Sequence, residues 1–160
     1  LTKIVPPREV YSSVEWPVII LLASVIPLGA ALESNGTTEI IVQNLTKYAS
    51  SMEPWLIIAI IMIITMTLSD ILNNTATTLV IAPISIQLAQ TLNLNTDTFL
   101  MAVAVSASCA FLTPIGHKNN TIILGPGGYR FGDYWRMGLV LEVLIIITSI
   151  PLLLIFWPIN

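Results

Sequence analysis

Charge is what this sequence has least of. Six Lys/Arg and nine Asp/Glu make up 9% of its 160 residues, where a soluble domain usually carries about 25%. Hydrophobic residues reach 55% and the mean hydropathy is +0.86. That balance excludes an ordinary water-soluble domain and places the chain in a membrane. It also leaves no expected nucleic-acid partner. Cysteine occurs once, at Cys109, which excludes an internal disulfide and any multi-cysteine metal site. In its Ala/Ser-rich run Cys109 reads as a small core residue. Histidine also occurs once, at His117. Phosphate loop, zinc spacing and nucleophile elbow are all missing, and the lone His and Cys form no catalytic pair. The chain is therefore not expected to be an enzyme. It has no initiator Met and no secretory signal pattern, because residues 1–15 are polar and contain Pro6-Pro7. It reads as a piece of a longer protein, with residues 1–15 a connector and residues 16–160 a membrane domain.

What is present is a series of apolar stretches. Residues 16–32 form a first expected span near the lower length limit for crossing, ended by Asn35-Gly36. Residues 37–51 carry Ile41, Leu45 and Tyr48 on one side and Glu39, Gln43 and Lys47 on the other. This pattern suits a helix lying in the membrane interface, and equally an ordinary loop helix. Residues 55–68 and 79–89 are apolar but short for a bilayer crossing. They read as a re-entrant helical hairpin, or as two full spans if the polar residues between them are membrane-embedded. Residues 98–112 carry small residues at Ala102, Ser106 and Ala110, and again at Ala104 and Ser108, a spacing that lets helix backbones approach closely. Pro114 and Gly116 interrupt this segment before residues 121–124 resume it, giving one discontinuous transmembrane helix. Residues 137–157 form a full span containing Pro151 and Glu142, the latter read as structural. Trp16, Trp55, Trp135 and Trp157 all fall at segment ends, as interfacial aromatics do. Lys3, Arg8, Arg130 and Arg136 fall on one side of this arrangement, so residues 1–15 and 129–136 are expected to be cytoplasmic.

Two polar breaks carry the functional signal. The first is Ser69-Asp70-Ile71-Leu72-Asn73-Asn74-Thr75-Ala76-Thr77-Thr78; the second is Thr113-Pro114-Ile115-Gly116-His117-Lys118-Asn119-Asn120-Thr121. A polar break facing lipid is costly, since each unsatisfied group costs several kcal/mol in hydrocarbon. Breaks survive where they are buried in protein or line a cavity. A pair of similar composition points to a site for something polar, an ion above all. The same residues suit helix caps, Asn73 or Thr75 for one helix and Asn119 or Asn120 for the next. Helix N-termini meeting there would also attract an anion. Lys118 at membrane depth must find a counterpart: a substrate, Asp70, or an acid elsewhere in the full protein. His117 reads as a neutral hydrogen-bonded residue or a proton-coupling one. Asp70 reads as a neighbour of a cation site or a tip residue facing water.

The order of these motifs resembles the C-terminal half of the divalent anion:sodium symporters, the dicarboxylate/sulfate permease family. The resemblance rests on the first break, on Cys109-Ala110-Phe111-Leu112-Thr113-Pro114-Ile115-Gly116-His117-Lys118-Asn119-Asn120, and on Gly125-Pro126-Gly127-Gly128-Tyr129-Arg130-Phe131-Gly132-Asp133-Tyr134. It implies an all-α polytopic fold of two inverted repeats, each with a re-entrant hairpin and a broken helix, of which this chain is the second. It implies a homodimer in the cell (inner) membrane, completed by an N-terminal half, with sodium as coupling ion and no other cofactor. The family's Ser-Asn-Thr tip falls on Asn73-Asn74-Thr75, with asparagine replacing the serine. Carried over by resemblance, Asn74 and Thr75 face the anion, while Ser69, Asn74, the Gly116 carbonyl and Asn120 hold sodium. Asn73, in place of the family's serine, and His117 and Lys118, in place of the small or proline residues of dicarboxylate carriers, join the expected anion set without that support. The implied function is sodium-coupled transport of sulfate, a C4 dicarboxylate or citrate; the alternative is a proton-coupled or uncoupled anion carrier.

Overall fold

The computed structural model describes residues 34–159 continuously, together with Ile19, Ile20, Ala23, Ser24, Pro27 and Ala31. The connector, most of the first expected span, and Lys3 and Arg8 lie outside the described residues, as does the Lys118 side chain. From Thr37 onward the described residues form helices and turns without a strand. They are α1 (Thr37–Ala49), α2 (Pro54–Ile71), α3 (Asn74–Thr91), α4 (Thr96–Ala107), α5 (Lys118–Leu124), a 3-10 turn (Phe131–Asp133) and α6 (Tyr134–Phe156). The all-α expectation holds. α2 and the segment from Phe131 through α6 are long and apolar enough to cross a membrane.

Burial follows the helical period. α2 buries Ile58, Ile61, Met62, Thr65, Met66 and Ser69 along one stripe, while Ile63 and Ile64 face outward. α4 answers with Phe99, Ala102, Val103, Ser106 and Ala107. Of its two small-residue stripes, only the Ala102/Ser106/Ala110 one is packed; Ala104 and Ser108 are exposed. Hydroxyls that must lie in apolar surroundings mostly bond back into their own helix. Thr65 donates to Ile61 O at 2.7 Å, Ser106 to Ala102 O at 2.6 Å and Thr78 to Asn74 O at 2.8 Å.

Both breaks differ from their expected limits. The first shrinks to Leu72 and Asn73, because residues 74–78 are already helical. Asn73 Oδ1 caps α3 by accepting Ala76 N–H at 2.7 Å, and α3 then runs through Pro83. The second break is longer and earlier. α4 stops at Ala107, and residues 108–117 are irregular. The N-cap of α5 is His117, whose Nδ1 accepts Asn119 N–H at 3.3 Å; Asn119 and Asn120 lie inside the helix. Local sequence pointed to Pro114 as the stop. The chain stops sooner because acids from α2 and α6 take up the amides that a continuing α4 would have used.

The connections fix the layout. Thr98 Oγ1 bonds Trp157 O at 2.9 Å and Asn95 N–H bonds Ile159 O at 2.9 Å, which tie the start of α4 to the end of α6. α1 packs on α3, burying Thr38, Val42 and Ala49. Ile41 and Tyr48, expected on its apolar side, face outward instead. One end of the bundle therefore holds α1, the α3–α4 turn and the end of α6. The α2–α3 tip and the break after α4 meet at the other level, partway along α6.

Candidate functional site

Ser69, unlike Thr65 on the same stripe, bonds outside its own helix. It lies fully buried in the last turn of α2. Its Oγ leaves the helix and donates to Ala107 O at 2.7 Å, where α4 ends. The Asn74 amide meets the same point from the first turn of α3, with Ser69 Oγ 3.0 Å from its Oδ1. The end of the amide that faces the cluster is 3.2 Å from Gly116 O and 3.1 Å from Ala107 O. The tip and the break thus converge on four polar groups: Ser69 Oγ, the Asn74 amide, and the carbonyls of Ala107 and Gly116.

The amide has two orientations of nearly equal shape. With nitrogen inward it donates toward the Gly116 and Ala107 carbonyls and Ser69 Oγ. With oxygen inward, four oxygens face one another with only the Ser69 proton between them. Such an arrangement is repulsive unless a cation sits among the lone pairs. The donor set suits a hard monovalent ion, which takes neutral carbonyl, amide and hydroxyl oxygens released at broken helices. It does not suit a transition metal. Among the described residues no group of three His, Cys, Asp or Glu side chains is placed to hold a metal.

Gly116 reaches this position only because it lacks a side chain. A Cβ there would lie 2.8 Å from Ala110 Cβ, 3.0 Å from Asp70 Oδ1 and 3.1 Å from Asp70 Cα. The break is braced from three sides. Asp70 Oδ1 accepts Leu112 N–H at 3.0 Å and Thr113 N–H at 3.2 Å, and Thr113 Oγ1 donates to Asp70 O at 2.8 Å. Glu142 Oε1 accepts Phe111 N–H at 3.3 Å. One turn earlier on α6, a Cβ on Gly138 would run into Phe111 O, so α6 rests directly on the break backbone. From α5, Asn120 Nδ2 donates to Thr113 O at 3.3 Å and Thr121 Oγ1 to Pro114 O at 2.6 Å.

Of the expected cation set, Ser69, Asn74 and Gly116 come together. The Asn120 amide is turned into the break as a brace. Ala107 O joins the cluster without having been expected, since a backbone carbonyl leaves no mark in residue type. Of the expected anion set, Asn73 is an exposed cap at the tip, Thr75 lies half-buried in the first turn of α3, and His117 caps α5. Asp70 does not face water: it is 3% exposed. Glu142, read as merely structural, touches the same break.

The chain matches the citrate transporter family over residues 1–159. It is 37% identical over 154 residues to an uncharacterized transporter of Synechocystis, covering 96% of this chain and 25% of that protein. It is 27% identical over 142 residues to a sodium-dependent dicarboxylate transporter of Staphylococcus saprophyticus, covering 89% of this chain and 27% of that protein. To a sodium-dependent high-affinity dicarboxylate transporter of Caenorhabditis elegans it is 25% identical over 135 residues, covering 84% and 24%. The chain spans about a quarter of the length of these relatives. The matches agree with the resemblance in the motifs, and the relatives carry the names of transporters.

Proposed function

The chain belongs to the citrate transporter family, and on that premise we propose that it is the second repeat of a sodium-coupled carrier of a small divalent anion. The oxygen cluster at Ser69, Asn74, Ala107 and Gly116 carries this reading. These four would hold sodium, whose charge the neutral cluster otherwise lacks. Asn74 gives the site two states without moving the backbone. Amide oxygen inward receives the ion; amide nitrogen inward fills the place of the departed cation.

The anion would lie just beyond the tip, at the N-terminal turn of α3. There Asn73, Asn74 and Thr75 sit beside unpaired N–H groups and the positive end of the helix dipole. Bound sodium beneath would add attraction, which makes cation and anion binding mutually dependent. His117 and Lys118, opening α5 across the break, complete the proposed anion set. Dicarboxylate is the substrate class in the names of two relatives; sulfate and citrate fit the same dianion chemistry. The partners proposed are an N-terminal half with a matching tip, a second copy of the whole protein, and the lipid of the cell membrane.

The α2–α3 pair reads as re-entrant. Its arms are of 18 residues each, and their tip meets the end of α4 through Ser69 and Asn74 rather than running past it. Its tip would end inside the membrane, level with the second break.

The test is uptake by the full-length protein in proteoliposomes, with succinate, citrate and sulfate as probes in sodium or choline buffer. At least one probe accumulates only with sodium, and Asn74→Ala abolishes that uptake while leaving expression and melting behaviour intact. Uptake of the same size in choline, or normal sodium dependence in Asn74→Ala, would falsify the assignment.

A further inference from the structure

We infer that Tyr134, the first residue of α6, is a positioning residue for the candidate site: its hydroxyl holds α5 where the Asn120 amide can reach the second break. The glycine-rich stretch from Gly125 to Tyr134, singled out by its motif and unused by the cluster, then has a task. α5 has seven residues, fewer than a helix needs to be stable on its own. None of its described side chains is buried, so apolar packing does little to seat it and hydrogen bonds carry the load. His117, Asn120 and Thr121 bond within the segment made of the break and α5. Among the described residues, the one side-chain hydrogen bond that reaches α5 from another helix is that of Tyr134, whose hydroxyl donates to Asn120 O at 2.8 Å.

The residue that Tyr134 holds by its carbonyl is the one whose amide braces the break. Asn120 Nδ2 donates to Thr113 O at 3.3 Å and to Ala110 O at 3.5 Å. Both bonds are long, at the edge of hydrogen-bonding distance, so a small shift of α5 decides whether they form. Thr113 passes the constraint on, because its Oγ1 accepts Gly116 N–H at 3.1 Å and the Gly116 carbonyl is one of the four cluster groups. The hydroxyl makes this connection, and the packing of the ring does not. On one side the ring meets Tyr129 edge-on, with centroids 6.0 Å apart. On another it opens onto a cavity of about 450 Å³ that it lines together with Phe111, Asn120, Ile123, Gly138 and Leu141. Tyr129 is itself fixed by the loop: its ring lies against Gly127, where a Cβ would collide with it, and its N–H donates to Leu124 O at 3.1 Å. Tyr134 touches no cluster oxygen. Its effect on cation affinity rests on the proposed sodium site; its effect on the order of the break does not.

The experiment uses the full-length protein with Tyr134→Phe, Asn120→Leu and the double variant. Phe keeps the ring and loses only the hydroxyl; Leu keeps the size of Asn and loses its amide. Two readouts are taken: hydrogen exchange in peptides covering residues 108–116 and 118–124, measured without sodium, and the sodium chloride concentration at half-maximal thermal stabilisation, with potassium chloride balancing ionic strength. Tyr134→Phe is expected to exchange about tenfold faster at residues 108–116 and to need about tenfold more sodium, the scale of one lost hydrogen bond. Asn120→Leu is expected to do the same. The double variant is expected to match Asn120→Leu, because both changes cut one chain of contacts. Tyr134→Phe exchanging like wild type at residues 108–116, or faster only at residues 118–124, overturns the positioning role. Effects that multiply in the double variant overturn the route through Asn120. A wild type whose stability ignores sodium defeats the cation site alone, and the exchange arm still decides the role of Tyr134. If Asn120→Leu does not fold, the comparison of the two peptide sets in Tyr134→Phe decides by itself.

Discussion

Ser69 shows how a single hydroxyl separates a site from a scaffold. Thr65, on the same buried stripe of α2, is satisfied by its own helix through Ile61 O; Ser69 instead bonds α4 and α3. Removing the Thr65 hydroxyl should therefore leave ion binding alone, whereas Ser69→Ala takes one oxygen from the cluster. The expected result for Ser69→Ala is a rise of about tenfold in the sodium needed for half-maximal uptake, on the order of one lost hydrogen-bonding group. Ser69→Thr, which keeps the oxygen, stays near wild type. Equal sodium curves for Ser69→Ala and wild type would remove Ser69 from the cluster. Ser69, Asn74 and Gly116 were legible in the sequence because their motif survives in order and because polar residues inside apolar runs need a reason. Ala107 was not, because its contribution is a carbonyl that any residue carries. Asn120 was legible as important but not in its direction. An asparagine one helical turn inside α5 can face the ion or the loop, and the carbonyls of Ala110 and Thr113 take it.

Helices in this protein end where a partner removes the need to continue. α3 begins at Asn74 because Asn73 supplies an acceptor to Ala76 N–H, which draws residues 74–78, four of them polar, into the helix. Polarity alone puts that start five residues late, at Leu79, and local sequence puts the end of α4 five residues late, at Leu112, for the complementary reason. The acids that release α4 at Ala107 come from 37 residues upstream, in Asp70, and 35 residues downstream, in Glu142; no local window contains them. Two variants separate the helix boundaries from the contacts between helices. Asn73→Ala should cost roughly 1 kcal/mol of stability through the lost cap, visible as a modest fall in melting temperature, with α3 still formed. Gly138→Ala should cost more, about 1–3 kcal/mol, because its Cβ would run into Phe111 O and lie 3.0 Å from Leu112 N, and backbone cannot yield as a flexible side chain would. It should also speed hydrogen exchange at residues 108–116. A stable, slowly exchanging Gly138→Ala protein would mean that α6 does not seat on the break.

Among the described residues, the basic side chains of Lys47, Arg130 and Arg136 and the aromatics Trp55, Tyr129, Trp135 and Trp157 fall at two levels, and the proposed crossing of the membrane follows from them. α6 has 23 residues, about 34 Å, enough to cross a core of about 30 Å. Its beginning lies beside Arg130, Arg136, Tyr129 and Trp135; at its end, Trp157 O accepts from Thr98 Oγ1 at the start of α4 and Pro158 O accepts from Asn95 Nδ2. Lys47 lies on α1 at that second level. With the basic pair cytoplasmic, Arg130→Cys should react with a membrane-impermeant maleimide only from the cytoplasmic side, and Lys47→Cys only from outside. The background is a full-length protein whose native cysteines are replaced. Reversal of the two sides would overturn the orientation. The same assay decides between a re-entrant hairpin and two full crossings. If α2 and α3 both crossed completely, Asn73→Cys would sit in water beside Arg130→Cys and react as fast from the cytoplasm. If the tip ends at the level of the break, Asn73→Cys reacts more slowly than either flanking cysteine. Sodium together with the transported anion then slows it further, because the occupied site closes over the tip.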